Sequence, residues 1–145
     1  MKEWEAPIIV EENFKVSPER LWNALTDITE MRQWYFDQLV AFEPKVGFET
    51  RFPVKVNDRT FTHCWKVTEA LPNQRIKYNW YYAEYEGDSY VTFEIFGEVP
   101  DVKLRFTAEV VEDFTADIPE FKRESAVNGW NYFIKERLKK YLMVG

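Results

Sequence analysis

Cysteine occurs once, at Cys64, and histidine once, at His63. A lone cysteine cannot close an intramolecular disulfide, which points to a reducing compartment. One histidine next to one cysteine cannot supply the three or four convergent ligands of a zinc site, and in a regular strand the two face opposite ways. The 5 glycines form no phosphate-cradling loop, and there is no nucleophile elbow and no HExxH helix. No apolar run approaches the roughly 20 residues of a membrane-spanning helix. The opening Met1-Lys2-Glu3-Trp4-Glu5 has no apolar h-region, so no signal peptide is expected. Positive charge is short as well: 19 Lys and Arg stand against 25 Asp and Glu, for a net charge of −6. Such a field disfavours nucleic acids and anionic membranes as partners. The expectation is a cytoplasmic protein with no metal and no cofactor.

Aromatic side chains are abundant: 12 Phe, 8 Tyr and 6 Trp, or 18% of the chain. They bury large areas and can either fill a core or line a wide cavity. A length of 145 residues suits one domain. No repeat, low-complexity stretch or Pro/Gly/Ser linker divides it.

The β-branched and aromatic run Ile8 to Phe14 reads as a strand. Ser17 then caps a helix that has Pro18 at its first position. A second short helix is expected from Thr29 to Tyr35. Strand-like runs follow at Phe48 to Val54, Phe61 to Thr68, Arg75 to Tyr82, Tyr90 to Phe96 and Val102 to Val111. Turn signals separate them: Asn57-Asp58, Pro72-Asn73, Gly87, Gly97 and Pro100. Alternate residues share a face. Phe52, His63, Trp65, Tyr78, Trp80, Phe93 and Phe106 fall on a covered face, while Lys66, Lys77, Asn79, Thr92 and Arg105 fall on a wet one.

A long helix from about Ile118 to Leu142 supplies the cover. Phe121, Val127, Trp130, Phe133, Ile134, Leu138, Tyr141 and Leu142 form its apolar stripe. Asp117 and Glu120 have the spacing of a capping box, with Pro119 in the first turn. At about 37 Å, such a helix crosses a whole sheet. The fold class is therefore α+β, a helix grip. A curved antiparallel sheet of about six to seven strands surrounds a long C-terminal helix, with two short helices after the first strand.

The stretch Phe14-Lys-Val-Ser-Pro-Glu-Arg-Leu-Trp-Asn-Ala-Leu-Thr-Asp27 resembles the opening motif of START-like (SRPBCC) proteins. The most similar branch is the activator of heat-shock-protein ATPase family. Further matching pieces are Trp34-Tyr35-Phe36, Phe42 through Val46-Gly47, Arg75 through Trp80, Tyr90 through Ile95, and Gly129-Trp130 ahead of Leu138 to Leu142. The resemblance spans nearly the whole chain. It implies a helix-grip, birch-pollen-allergen-like fold with a deep pocket between sheet and helix. It does not imply one activity, because the superfamily includes lipid carriers, hormone receptors, cyclases and co-chaperones. Full-length heat-shock ATPase activators also carry a separate N-terminal domain for chaperone contact, and no part of this chain reads as one.

The candidate ligand contacts are Phe52, His63, Trp65, Tyr78, Trp80, Phe93, Phe106, Trp130 and Phe133. They read either as the walls of a cavity for a small apolar or aromatic molecule or as a filled core. His63 reads as a polar anchor, as an acid/base, or as a hydrogen-bonded core histidine. Cys64 reads as a plain cysteine on the outer side of the sheet. Glu84, Glu86 and Asp88 read as a solvated turn, and Lys135, Arg137, Lys139 and Lys140 as complements to the helix dipole. Three functions follow. The first is a non-enzymatic ligand-binding domain. The second is a regulator that binds a chaperone ATPase through its exterior, with room for a homodimer. The third is a cyclase- or hydrolase-like enzyme using His63.

Overall fold

The structure is a computed structural model that describes the backbone of residues 1–144 and the side chains of residues 1–143. Its strands are β1 (Ile8–Phe14), β2 (Glu49–Val56), β3 (Arg59–Leu71), β4 (Arg75–Tyr82), β5 (Asp88–Glu98) and β6 (Asp101–Glu112). They pair antiparallel in the order β1-β6-β5-β4-β3-β2, so β2 to β6 form a meander and β1 returns to its far side. Two positive-φ asparagines make the tight turns: Asn57 (φ 57°) between β2 and β3, and Asn73 (φ 65°) between β3 and β4. Asparagine tolerates this left-handed backbone. Register shifts between Val67 and Glu69 and between Asp88 and Ser89 break the ladders locally, and such bulges help a sheet bend.

Between β1 and β2 the chain forms α1 (Pro18–Thr26) and α2 (Ile28–Trp34). The Ser17 hydroxyl accepts from Arg20 N at 3.0 Å, as its cap position requires. Asp27 ends α1 and caps α2, its carboxylate accepting from Thr29 N at 2.9 Å and Glu30 N at 3.2 Å. Residues 35–48 then run without regular structure over the β2 side of the sheet. The C-terminal helix has three stretches: α-helical Arg123–Asn131, π-helical Tyr132–Leu138 and α-helical Lys139–Val144.

The concave face of the sheet and this helix enclose the core. Phe52, Trp65, Val67, Ile76, Tyr78, Val91, Phe93, Leu104 and Phe106 are all buried there, as the period of two requires. Ile134 and Leu138, one turn apart, carry the helix side of the core.

Three details depart from the sequence reading. The C-terminal helix does not begin with a capping box. Asp117 has φ 68°, Pro119–Phe121 is a separate 3-10 turn, and Lys122 caps the helix without a side-chain bond. Phe121 is drawn down into a small aromatic cluster with Phe61 and Phe114, which forces this break. Glu120 is used elsewhere, in a paired contact with Arg59 at 3.2 Å through both carboxylate oxygens. Cys64 does sit on the convex side but is buried there, because its cross-strand neighbours Arg51 and Tyr81 close over it and bond to each other at 3.5 Å. The basic residues of the last turns also do more than face the dipole. Lys135 Nζ donates to Glu11 O at 2.7 Å and Lys139 Nζ donates to Asn13 O, occupying carbonyls of β1. Among the described residues no helix is long and apolar enough to cross a membrane.

Candidate functional site

A cavity of about 170 Å³ lies between the concave face and the C-terminal helix. Strand β4 contributes Trp80 and Tyr82, β5 contributes Ser89 and Val91, and β6 contributes Ala108 and Val110. The helix contributes Ala126, Gly129, Trp130 and Phe133, positions three or four apart and thus on one face. Phe36, just after α2, closes the side toward β2, and its ring lies within 6 Å of the Phe52, His63, Trp65, Trp80 and Phe133 centroids. Gly129 shapes this space: a methyl group built there would meet no atom within 4 Å.

Of the nine expected contacts, the structure brings His63, Trp80, Trp130 and Phe133 to the cavity wall. The other five, Phe52, Trp65, Tyr78, Phe93 and Phe106, lie in the packed aromatic layer beside it. Trp65 and Tyr78 sit 4.8 Å apart by ring centroid, and Phe93 lies edge-on to Phe106 at 5.0 Å. Phe36, Tyr82, Ser89 and Gly129 were not among the expected contacts, although Phe36 and Gly129 lie in stretches that carry the family resemblance. Tyr82 continues the alternation of Ile76, Tyr78 and Trp80, and Ser89 that of Val91 and Phe93, so both were readable by parity. Gly129 shares a helix face with Ala126 and Phe133. Phe36 belongs to an irregular segment and had no periodic signal.

His63 is buried on β3. Its Nδ1 lies 3.0 Å from Phe61 O. A carbonyl only accepts, so Nδ1 carries the proton and Nε2 keeps a lone pair. The ring stacks on Phe52 (4.9 Å, 17°) and meets Tyr82 edge-on (4.9 Å, 83°). Burial pushes its pKa down to about 4 against the bond to Phe61 O, so the ring is neutral at pH 7. No carboxylate among the described residues orients it, as a general base would need. Tyr82, half-buried in the cavity wall, has its phenol raised to about 12 by burial. Ser89 donates its hydroxyl proton to Trp80 O at 2.8 Å.

The open end is polar. Lys2, Glu5, Glu120 and Arg123 stand around it, partly exposed. Arg123 is fixed by donating to Ala6 O at 2.5 Å and Pro7 O at 3.5 Å. Away from the cavity, Trp65 Nε1 and Thr50 Oγ1 are buried without partners, opposite one another in the β2–β3 register. A wider depression of about 790 Å³ lies outside the C-terminal helix among Arg20, Gln33, Tyr132, Glu136, Arg137, Lys140 and Tyr141. It contains none of the nine expected contacts. Among the described residues no three His, Cys, Asp or Glu side chains gather as metal ligands would.

The family model described as Activator of Hsp90 ATPase homolog 1-like protein matches residues 15–143. The chain belongs to this family. Solved structures share its fold. Protein MLL2253 from Mesorhizobium loti is 26% identical with a TM-score of 0.74, and the match covers 95% of this chain and 97% of that one. Mll3558 from Rhizobium loti is 17% identical with a TM-score of 0.80, covering 94% and 96%. The Aha1 dimer from Colwellia psychrerythraea, solved in solution, is 19% identical with a TM-score of 0.72, covering 97% and 98%. No curated protein matches the chain by sequence. The pieces that carried the resemblance to Hsp90 ATPase activator-like proteins have clear places here. Ser17 caps α1, Trp34 Nε1 donates to Ala24 O at 2.7 Å, and Gly129-Trp130 forms part of the cavity wall.

Proposed function

We propose that the chain is a non-enzymatic START-like domain that binds a small apolar or aromatic molecule between its sheet and C-terminal helix. The observation that carries this reading is the aromatic cavity of about 170 Å³ with His63 in its wall. Trp80, Trp130, Phe133 and Phe36 would supply apolar burial, and His63 would orient a polar group. The layer of Phe52, Trp65, Tyr78, Phe93 and Phe106 would hold those walls in place and take part in contacts if the cavity widens on binding. A cytoplasmic setting belongs to the same proposal and draws support from the single unpaired Cys64. Titration with a panel of one-ring aromatics, read by tryptophan fluorescence and backed by native mass spectrometry, tests the reading. Saturable quenching supports it. A flat response to every compound, with no co-purifying molecule, removes it.

A second reading is a partner-binding regulator of a chaperone ATPase, acting through the exterior of the fold as a monomer or homodimer. Family membership favours it, and the Colwellia neighbour is itself described as a dimer. Stimulated ATP hydrolysis by a cognate chaperone on adding the protein supports this role, and unchanged hydrolysis across a full titration rules it out. Light scattering gives the number of copies.

A further inference from the structure

The cavity wall also defines which chemistry its occupant carries, on the reading that the cavity binds a ligand. Size comes first. An apolar cavity of about 150 Å³ holds one benzene molecule, whereas drug-sized ligands occupy about 300 Å³ or more. At about 170 Å³, this cavity suits a single ring with one or two substituents and is too small for an acyl chain or a fused polycycle.

Polarity comes second. The open end holds both signs of charge, Lys2 and Arg123 beside Glu5 and Glu120. The inner wall, away from this end, holds no charged side chain. Its polar groups are His63, Tyr82, Ser89 and the Trp80 indole. Ser89 has already given its proton to Trp80 O. His63 has committed Nδ1 to Phe61 O, and Nε2 has no partner among the described residues. Nε2 is thus a free acceptor open to the cavity, and a ligand that donates to it gains a hydrogen bond on entering. Tyr82 stands edge-on to the His63 ring and its hydroxyl is able to donate. A group that gives one hydrogen bond and takes another matches the pair. An anion would face the lone pair of Nε2, and an ammonium would lose its water with no carboxylate beside it.

We infer that the cavity selects a neutral, hydroxyl-bearing single ring, a simple phenol in chemical class. The hydroxyl donates to His63 Nε2 and accepts from Tyr82, and the ring lies among Phe36, Trp80, Trp130 and Phe133.

Three probes of one shape test this: toluene, 4-methylphenol and 4-methylbenzoate, each titrated into 15N-labelled protein and followed by amide chemical shifts. The expected result is that 4-methylphenol binds about ten-fold more tightly than toluene, equivalent to about 1.4 kcal/mol, and that 4-methylbenzoate binds no better than toluene. In His63→Phe the preference shrinks to about two-fold or less while toluene still binds. Tyr82→Phe, which keeps the ring and removes only the hydroxyl, also reduces the preference and serves if His63→Phe does not fold. Equal binding of toluene and 4-methylphenol overturns the inference and leaves the ligand-binding reading intact. So does a preference for 4-methylbenzoate, or a phenol preference unchanged in the variants. No shift with any probe defeats both readings.

Discussion

The Trp130 indole stacks on the Phe106 ring, with centroids 3.9 Å apart and planes 29° from parallel. This contact ties the C-terminal helix to β6, the strand beside the β1 edge of the sheet. Trp130 also meets Trp80 at 5.4 Å and Phe133 at 5.9 Å, so one side chain joins the core to the cavity wall.

Replacing Trp130 with alanine removes that tie and enlarges the void beside it. Truncating a large buried aromatic costs about 3–5 kcal/mol. Urea denaturation of Trp130→Ala is expected to show a loss in this range with an unchanged slope. A loss below about 1 kcal/mol would mean that the helix is held to the sheet by something else.

His63 makes stability depend on pH in a defined window. Burial lowers its folded pKa from 6.5 to about 4. Above pH 6.5 the ring is neutral in both states and the contribution is constant. Between pH 6.5 and 4 the unfolded chain binds the proton and the fold resists it, so stability falls as pH falls. Across the whole window the loss is about 3 kcal/mol. Carboxylates titrate partly in the same range, so the quantity to measure is wild type minus His63→Phe. That difference, followed by denaturant midpoint from pH 7.5 to 4.5, is expected to swing toward the variant on acidification. A constant difference would show that the ring is not kept neutral by the fold.

The faces of the strands were readable because side chains alternate. Phe61, His63, Trp65 and Val67 all point inward, as do Val91, Phe93 and Ile95. Ser17-Pro18 is a local signal and placed α1 correctly. What escaped the sequence depends on distant contacts. Asp117 and Glu120 have capping-box spacing, but burial of Phe121 turns the chain at Asp117 and frees Glu120 for Arg59. The cover over Cys64 comes from Arg51 and Tyr81, on two different strands. Phe36 reaches the cavity from an irregular segment with no periodicity to reveal its direction. For the candidate site, parity identified the inward side chains, but where the helix rests decides which of them line space and which fill it.

The exposed edge of β1 is covered by the C-terminal helix. Lys135 and Lys139 bond to its Glu11 and Asn13 carbonyls and flank Glu12 at 3.7 and 3.6 Å, while Arg123 holds the carbonyls of Ala6 and Pro7 just before it. Partly exposed ion pairs contribute little, about 1 kcal/mol or less each. Their larger role is to occupy groups that would otherwise pair with another chain. The double variant Lys135→Met/Lys139→Met is expected to keep its unfolding free energy within about 2 kcal/mol of wild type and to associate at concentrations where wild type does not. Sedimentation velocity reads this directly, and a variant as monodisperse as wild type would remove the edge-protection role.

Gly129 trades stability for space. It sits inside a helix, where glycine costs about 0.5–1 kcal/mol relative to alanine. Its Cα faces the cavity, and an added methyl would touch nothing within 4 Å. Gly129→Ala is therefore expected to raise stability by up to about 1 kcal/mol. Gly129→Leu would extend a side chain into the cavity and fill much of it, gaining apolar burial while removing the room for a ring. Calorimetry is expected to show an unchanged or higher melting temperature for Gly129→Leu, and amide-shift titration to show that toluene no longer binds. Retained binding in a folded Gly129→Leu protein would place the ligand outside this cavity. A drop in melting temperature for Gly129→Ala would show that the space beside the helix is closed rather than open.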